Sequence, residues 1–251
     1  MTPITPQTFT DYRATGLVIA AAIMTGWALV VTLGLGAWYP GAGHLGVDAL
    51  WVLLETLAYT GMFITAHDAM HGLVAPQHPR LNHVVGALAI GLFAAMPYRA
   101  LREAHHHHHD HPSTERDPDY HEGRGGVIGW YLRFVWSYAT WRQLIAMAIA
   151  FNVLHHGLGL SLGRLWVFWI LPQVLSTVQL FVVGTWLPHR EGGGPFEGDG
   201  PTRARSLRVP RWVSFLACYH FGYHFEHHAW PFVPWWRLPE ARRRREASRA
   251  G

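Results

Sequence analysis

Three groups of histidines in this chain have the spacing that binds metal. H-D-A-M-H at 67–71 sets His67 and His71 four residues apart, which on a helix projects both imidazoles from one face. The tract H-H-H-H-H-D-H at 105–111 sets His105, His108 and His109 on one face and turns His106 and His107 away. Its interior position, between an apolar stretch and D-P-D-Y-H, sets it apart from a purification tag. In Y-H-F-G-Y-H-F-E-H-H at 219–228, His220, His224, His227 and His228 form a single helical stripe. The pattern H-x-x-H-H thus occurs twice and H-x-x-x-H once. Within the second tract His107 and His111 also make a four-residue pair, so its ligand choice stays open. His189 in T-W-L-P-H-R follows an apolar stretch and is expected at the same membrane face as the three groups. His44 falls on the opposite face, His155 and His156 fall within an apolar stretch, and His78, His83 and His121 lack the spacing.

Eight or nine imidazoles exceed the three or four that one ion uses, so two metals are implied. Cys218 is the one cysteine, which excludes an intramolecular disulfide and thiolate-rich zinc sites. Imidazole suits Zn, Cu, Fe and Ni. A metal pair at the end of apolar helices favours redox attack on a lipid-like molecule over hydrolysis, and iron with dioxygen breaks unactivated C–H bonds. Asp68, Glu226, Asp117 and Asp119 are the carboxylates placed to orient these rings through their other nitrogen.

The elements that must carry these side chains read as membrane helices. Residues 17–38 hold no charge over 22 positions, about 33 Å of helix against a hydrocarbon core of about 30 Å. Residues 49–66 form a second apolar stretch broken only by Glu55, either snorkelling or partnered. Residues 144–163 and 165–187 form a second pair, with Pro172 expected to kink the latter. With the loops 39–48 and 163–164 on one side, 19 of the 20 arginines fall on the other. That asymmetry places both termini and the histidines in the cytoplasm. The 13 residues 84–96 are too short to span and read as interfacial or re-entrant, since a crossing there would separate histidines that share metals. Segments 192–200 and 201–211 read as cytosolic loop, and residues 1–16 as an N-terminal arm without secretory-signal features. The run Arg242–Arg245 fits either anionic headgroups or a solvated tail.

Composition agrees. The chain of 251 residues is 50% hydrophobic and 14% charged, contains 19 His, and draws all 20 basic residues from arginine. Disordered and nucleic-acid-binding tails are excluded, and the basic balance is that of a membrane protein with arginine-rich flanks. The expected fold is an all-α integral membrane protein over 1–251, a single domain. It has four transmembrane helices in two hairpins, interfacial helices and a cytosolic histidine-rich cap holding a di-iron centre.

H-D-A-M-H-G at 67–72, D-P-D-Y-H at 117–121, G-T-W-L-P-H-R at 184–190, and F-G-Y-H-F-E-H-H with P-W-W-R-L-P at 234–239 carry a resemblance over about residues 50–240. The chain resembles the membrane fatty acid desaturase and hydroxylase superfamily, and within it the bacterial β-carotene ketolases. The resemblance implies oxidation of the C4 methylene of a β-ionone ring to a ketone by two O2-dependent hydroxylations. β-Carotene would give echinenone and canthaxanthin, and zeaxanthin would give astaxanthin. It implies two iron ions, O2 as co-substrate, electrons from a reduced ferredoxin-like donor, and a home in the bacterial inner membrane. His67, His71, His105, His108, His109, His224, His227 and His228 carry over as iron ligands with His189 as a ninth, and His220 stays open between ligand and support. A fatty acyl desaturase or lipid hydroxylase of the same superfamily shares the metal pattern. A metal-binding transporter would need polar residues along several spans, where few stand.

Overall fold

A computed structural model describes residues 4–5, 14–36, 44–121, 125–191, 193–197 and 202–250. Most of the arm 1–16 and parts of the first connecting loop and of the glycine-rich loop lie outside the described residues. Helix α1 (Thr15–Leu35) and helix α2 (Leu45–Met70) form an antiparallel hairpin. α2 is the pivot, packing against α1, against α3 (Pro79–Ala94) and against the long helix α7 (Leu162–His189). Its first turns expose Leu45, Leu50 and Leu53, whereas from Tyr59 to Met70 nearly every residue is buried. The buried end carries the first histidine pair.

Polar contacts join the helices where the hydrophobic effect cannot. Between α2 and α7, Thr60 Oγ1 donates to Gln179 Oε1 at 2.6 Å and lies 2.9 Å from Ser176 Oγ, and Gln173 Nε2 donates to the Tyr59 hydroxyl. Arg164 Nη1 donates to the carbonyls of Gly36 (2.7 Å) and Leu35 (3.3 Å), capping α1 from the start of α7. Glu55 is fully buried beside Trp51 and Gly34, so it points inward and does not snorkel.

After α3 the chain turns by 101° through Ala95, a left-handed residue (φ 54°), and Pro97 into α4 (Tyr98–Asp110). His71, before α3, and His105, within α4, lie side by side, so the bent pair α3–α4 brings the chain back to the end of α2. α5 (Gly126–Tyr138) exposes Ile128, Leu132 and Trp136. α6 is 12 residues (Trp141–Asn152) extended by a five-residue π turn to Gly157, and so ends short of the expected 163. Among the described residues three helices, α1, α2 and α7, are long and apolar enough to cross a membrane. α7 continues as one helix past Pro172, with a π turn at Trp166–Ile170 just before it.

The cytosol-side expectations for the C-terminus change. In α10 (Leu238–Ala250) Arg245 is buried, its Nη1 2.5 Å from Glu197 and its Nη2 2.8 Å from Glu226. Arg242 donates to the Leu207 carbonyl, and Arg244 pairs with Glu240. The run is therefore not a loose tail, because Arg242, Arg244 and above all the buried Arg245 find acceptors within the chain, while Arg243 stays exposed.

A Cβ on Gly16 would meet the carbonyl oxygens of Val74 and Leu73 at 2.5 and 2.8 Å, both backbone atoms in the segment just after His71. Gly16→Val therefore overpacks α1 against that segment. A loss of about 1–3 kcal/mol is expected, read as a lower thermal midpoint of the detergent-solubilised protein.

Candidate metal centre

Nine imidazoles converge at the buried end of α2. They sort into two groups whose ligand atoms lie within 4.8 Å of one another: His67, His71, His105, His109 and His227 in the first, His108, His189, His224 and His228 in the second. The helical spacing explains the sorting. Each four-residue pair serves one group: His67 with His71 and His105 with His109 the first, His224 with His228 the second. The remaining member of each H-x-x-H-H crosses over, His108 from α4 into the second group and His227 from the short helix α9 (His224–Ala229) into the first. Neither segment fills a group alone, and the crossover locks α4 against α9. His189, the last residue of α7, completes the second group.

The nitrogens face one another. His71 Nε2 is 2.8 Å from His105 Nε2, and His227 Nε2 is 3.1 Å from His67 Nε2 and 2.9 Å from His109 Nε2. In the second group His224 Nε2 lies 2.9 Å from His189 Nε2 and 3.0 Å from His228 Nε2, which is 3.1 Å from His108 Nε2. Nitrogens about 2.1 Å from a common ion at right angles stand about 3.0 Å apart, so both groups fit a metal ion bound by imidazole. Burial, reinforced by neighbouring imidazoles, holds His71, His105, His109, His224, His227 and His228 well below the usual imidazole range. They are neutral at pH 7, with lone pairs free for a metal.

The outer nitrogens are fixed from behind. Asp117 Oδ1 is 2.9 Å from His108 Nδ1, and Asp117 also accepts from the backbone N–H of Ser113 and Asp119. Although burial pulls the His108 ring down, the hydrogen bond to Asp117 and the charges of Asp119 and Asp117 raise it overall. Asp119 accepts from the Tyr138 hydroxyl at 2.5 Å and stands 3.9 Å from His108 Nδ1. Asp68 lies 3.4 Å from His67 Nδ1 and accepts from the Trp235 backbone, tying 234–239 to α2. His189 Nδ1 donates to the Arg203 carbonyl at 2.9 Å. Arg205 holds that loop by donating to the carbonyls of Pro188, Arg190 and Gly194. Ser113 Oγ also lies 3.1 Å from His189 Nδ1, and these contacts of Ser113, Arg203 and Arg205 have no sequence spacing to announce them, since they join segments far apart in the chain or bridged by loops.

Two expected site residues stand apart. Glu226 faces away from the imidazoles and is held by Ser206 and Arg245, so it anchors α9 from behind without orienting a ring. His220 belongs to neither group. Tyr219 and His220 are both left-handed (φ 46° and 63°), which ends α8 (Arg211–Cys218) and breaks the stripe drawn through His220 and His224. Its ring stacks on Tyr223, with centroids 5.7 Å apart. His106 and His107 point away from both groups, as the spacing predicts: His106 Nε2 is 3.2 Å from the Met70 carbonyl and His107 lies against His111.

An apolar cavity of about 220 Å³ ends on both groups, reaching His67 and His105 of the first and His108 and His224 of the second. Phe63, Phe93, Met96, Phe134 and Leu180 wall it, and the exposed Val135 and Leu144 mark its mouth. Tyr138, Gln143 and Thr185 are among its few polar lining residues.

The family model for fatty acid desaturase matches residues 49–144 and 131–250. A β-carotene ketolase of Paracoccus sp. (strain N81106 / MBIC 01143) is 41% identical over 239 residues, 92% of this chain and 94% of that protein. β-Carotene 4-ketolase 3 of Haematococcus lacustris is 41% identical over 203 residues, 79% of this chain and 63% of the relative. A zeaxanthin 4-ketolase of Chlamydomonas reinhardtii is 38% identical over 240 residues, 90% of this chain and 53% of the relative.

Removing the charge behind His108 tests the construction of the second group. Asp117→Asn should weaken its hold on metal about 10- to 100-fold. Elemental analysis should then show less metal per folded chain than in the unsubstituted protein, and an unchanged content would contradict the role given to Asp117.

Proposed function

Because the chain belongs to the fatty acid desaturase family, we propose that it is a membrane oxidoreductase acting on the lipid phase, a carotenoid 4-ketolase. It oxidises the C4 methylene of a β-ionone ring to a ketone. The observation that carries this reading is the cavity: apolar along its length, ending on both imidazole groups, and sized for a ring end but not for a whole carotenoid.

Each part of the chain has a task in that reaction. Phe63, Phe93, Phe134 and Leu180 bury the ring and exclude water, and the polyene leaves past Val135 and Leu144 toward the lipid. With the ring seated in the cavity, C4 would face His67, His105, His108 and His224, where the lining meets the imidazoles. Iron ions, one held by the five-histidine group and one by the four, would supply the activation of O2 that an unactivated C–H bond requires. Asp117 keeps the His108 Nδ1 proton outward and its Nε2 toward the centre. Tyr138 holds its hydroxyl proton toward Asp119, which turns a polar group away from the ring. Two hydroxylations at C4 give a geminal diol, and loss of water leaves the ketone.

Four crossings, with α6 and its π turn as the additional one, put the histidines and most arginines on one side. By the positive-inside rule that side is the cytoplasm, here of a bacterial inner membrane. A ferredoxin-like donor supplies electrons there.

Expression in a β-carotene-producing host should convert the pigment to echinenone and canthaxanthin, resolved by chromatography. Unchanged carotenoids with new double bonds in the membrane lipid would instead mark an acyl desaturase. His108→Ala and His227→Ala, one from each metal group, should each abolish ketone formation with the protein still in the membrane fraction. Retained activity in both would refute the metal assignment.

A further inference from the structure

The two imidazole groups differ in how they can be reached. Every member of the four-histidine group is buried, whereas His71, His105 and His109 of the five-histidine group are only half-buried. The apolar cavity meets that group at His67 and His105. A separate groove of about 390 Å³ meets it at His71. His83, Arg102, His106, Pro231 and Phe232 line this groove, and among the described residues no carboxylate does. At Pro79 it adjoins a shallow depression carrying His78 and the exposed Arg80, again without a carboxylate. The other polar openings differ: one is lined by Asp117, Asp119 and Glu191, another by Glu197 and Glu246.

The groove is also preformed. Arg102 Nε and His106 Nε2 both approach the Met70 carbonyl, at 3.4 and 3.2 Å, and fix α4 against the end of α2. Gly72, next to His71, is left-handed (φ 78°), and nothing lies within 4 Å of where its side chain would begin. The surface beside His71 is therefore low and open.

Resting on the ketolase reading, we infer that this groove docks an acidic one-electron carrier protein, which delivers electrons to the five-histidine group through its His71 side. Each docking passes one electron. The carrier's reduced cluster is oxidised, and a ferric ion held by the group is reduced to ferrous. Two electrons and two protons per O2 balance the insertion of one oxygen atom into a C–H bond and the release of the other as water. Substrate and carrier thus approach the same metal group from different sides and do not compete for space. Positive rim charges such as Arg80 act by steering, so their effect is strongest at low salt.

The test uses the full iron-loaded chain in detergent micelles, with a plant-type [2Fe–2S] ferredoxin as the probe. Arg80→Glu and Arg102→Glu should each raise the ferredoxin Kd about 10-fold at low salt and flatten its salt dependence. Reduction of the bound iron by dithionite should be unchanged. Arg208→Glu, exposed beside a different opening, should leave the Kd alone. An unchanged Kd in both groove variants overturns the inference, as does an equal loss in Arg208→Glu, which would mean diffuse attraction. Weaker binding to phosphatidylglycerol vesicles with ferredoxin affinity intact would assign the groove to lipid and also overturn it. If Arg102→Glu does not fold, the exposed Arg80→Glu decides alone. A wild-type protein that forms no ketone with ferredoxin, its reductase and NADPH would sink the ketolase reading itself. Wild-type turnover with unaffected variants would sink only the docking site.

Discussion

Nine imidazole nitrogens turned toward two shared points, within a shell of apolar helices, set the terms for the rest of the molecule. Facing lone pairs about 3 Å apart gain nothing from one another, and each ring loses rotamer freedom and hydration by being there. A cation at each point reverses that balance, so the scaffold must hold the rings until it arrives. It does so redundantly. Four-residue helical pairs aim two rings at one ion, the crossover of His108 and His227 welds α4 to α9, and Asp117 and the Arg203 carbonyl fix outer nitrogens. Even the distant Arg245 serves this end, because its ion pair with Glu226 anchors the helix that carries three of the nine. An uncompensated Glu226 there would be among the more costly losses in the structure, about 3–5 kcal/mol for a broken buried pair.

The placement of the centre follows from the same constraint. Imidazoles in mid-bilayer would lack polar partners for their outer nitrogens, and imidazoles far into water could not meet an apolar substrate. The end of α2 satisfies both needs. Below it an apolar cavity runs to His67 and His108, and above it loops of backbone carbonyls and carboxylates supply the outer contacts. Helix α3 and the sharp turn at Ala95 bring α4 back to the face where the first pair already stands.

Much of this was legible in the sequence, because helical spacing is a local property. The helical stripe selected His105, His108 and His109 out of a run of five, and the structure brings those three to the centre while His106 and His107 stay outside. The need to keep His71 and the 105–111 tract together likewise pointed to a segment 84–96 that turns back, and the chain does bend by 101° after α3. What was not legible depends on backbone that no pattern encodes. The stripe through His220 assumed a continuous helix, and two consecutive left-handed residues end that helix first. Glu226 and the Arg242–Arg245 run have side chains whose partners lie in distant segments, at Ser206, Leu207 and Glu197, so charge alone suggested ring support and a headgroup anchor. The division of nine imidazoles into five and four was implicit in two copies of H-x-x-H-H, but only the mutual approach of α4 and α9 decides which ring crosses over.

Anomalous scattering at the iron edge, from crystals of the iron-loaded protein, addresses this account most directly. Two iron peaks per chain are expected. One must lie about 2.1 Å from nitrogens of His67, His71, His105, His109 and His227, and the other equally close to His108, His189, His224 and His228. A single peak, or a second ion held by Asp117 and Asp119 in place of His224 and His228, would contradict it.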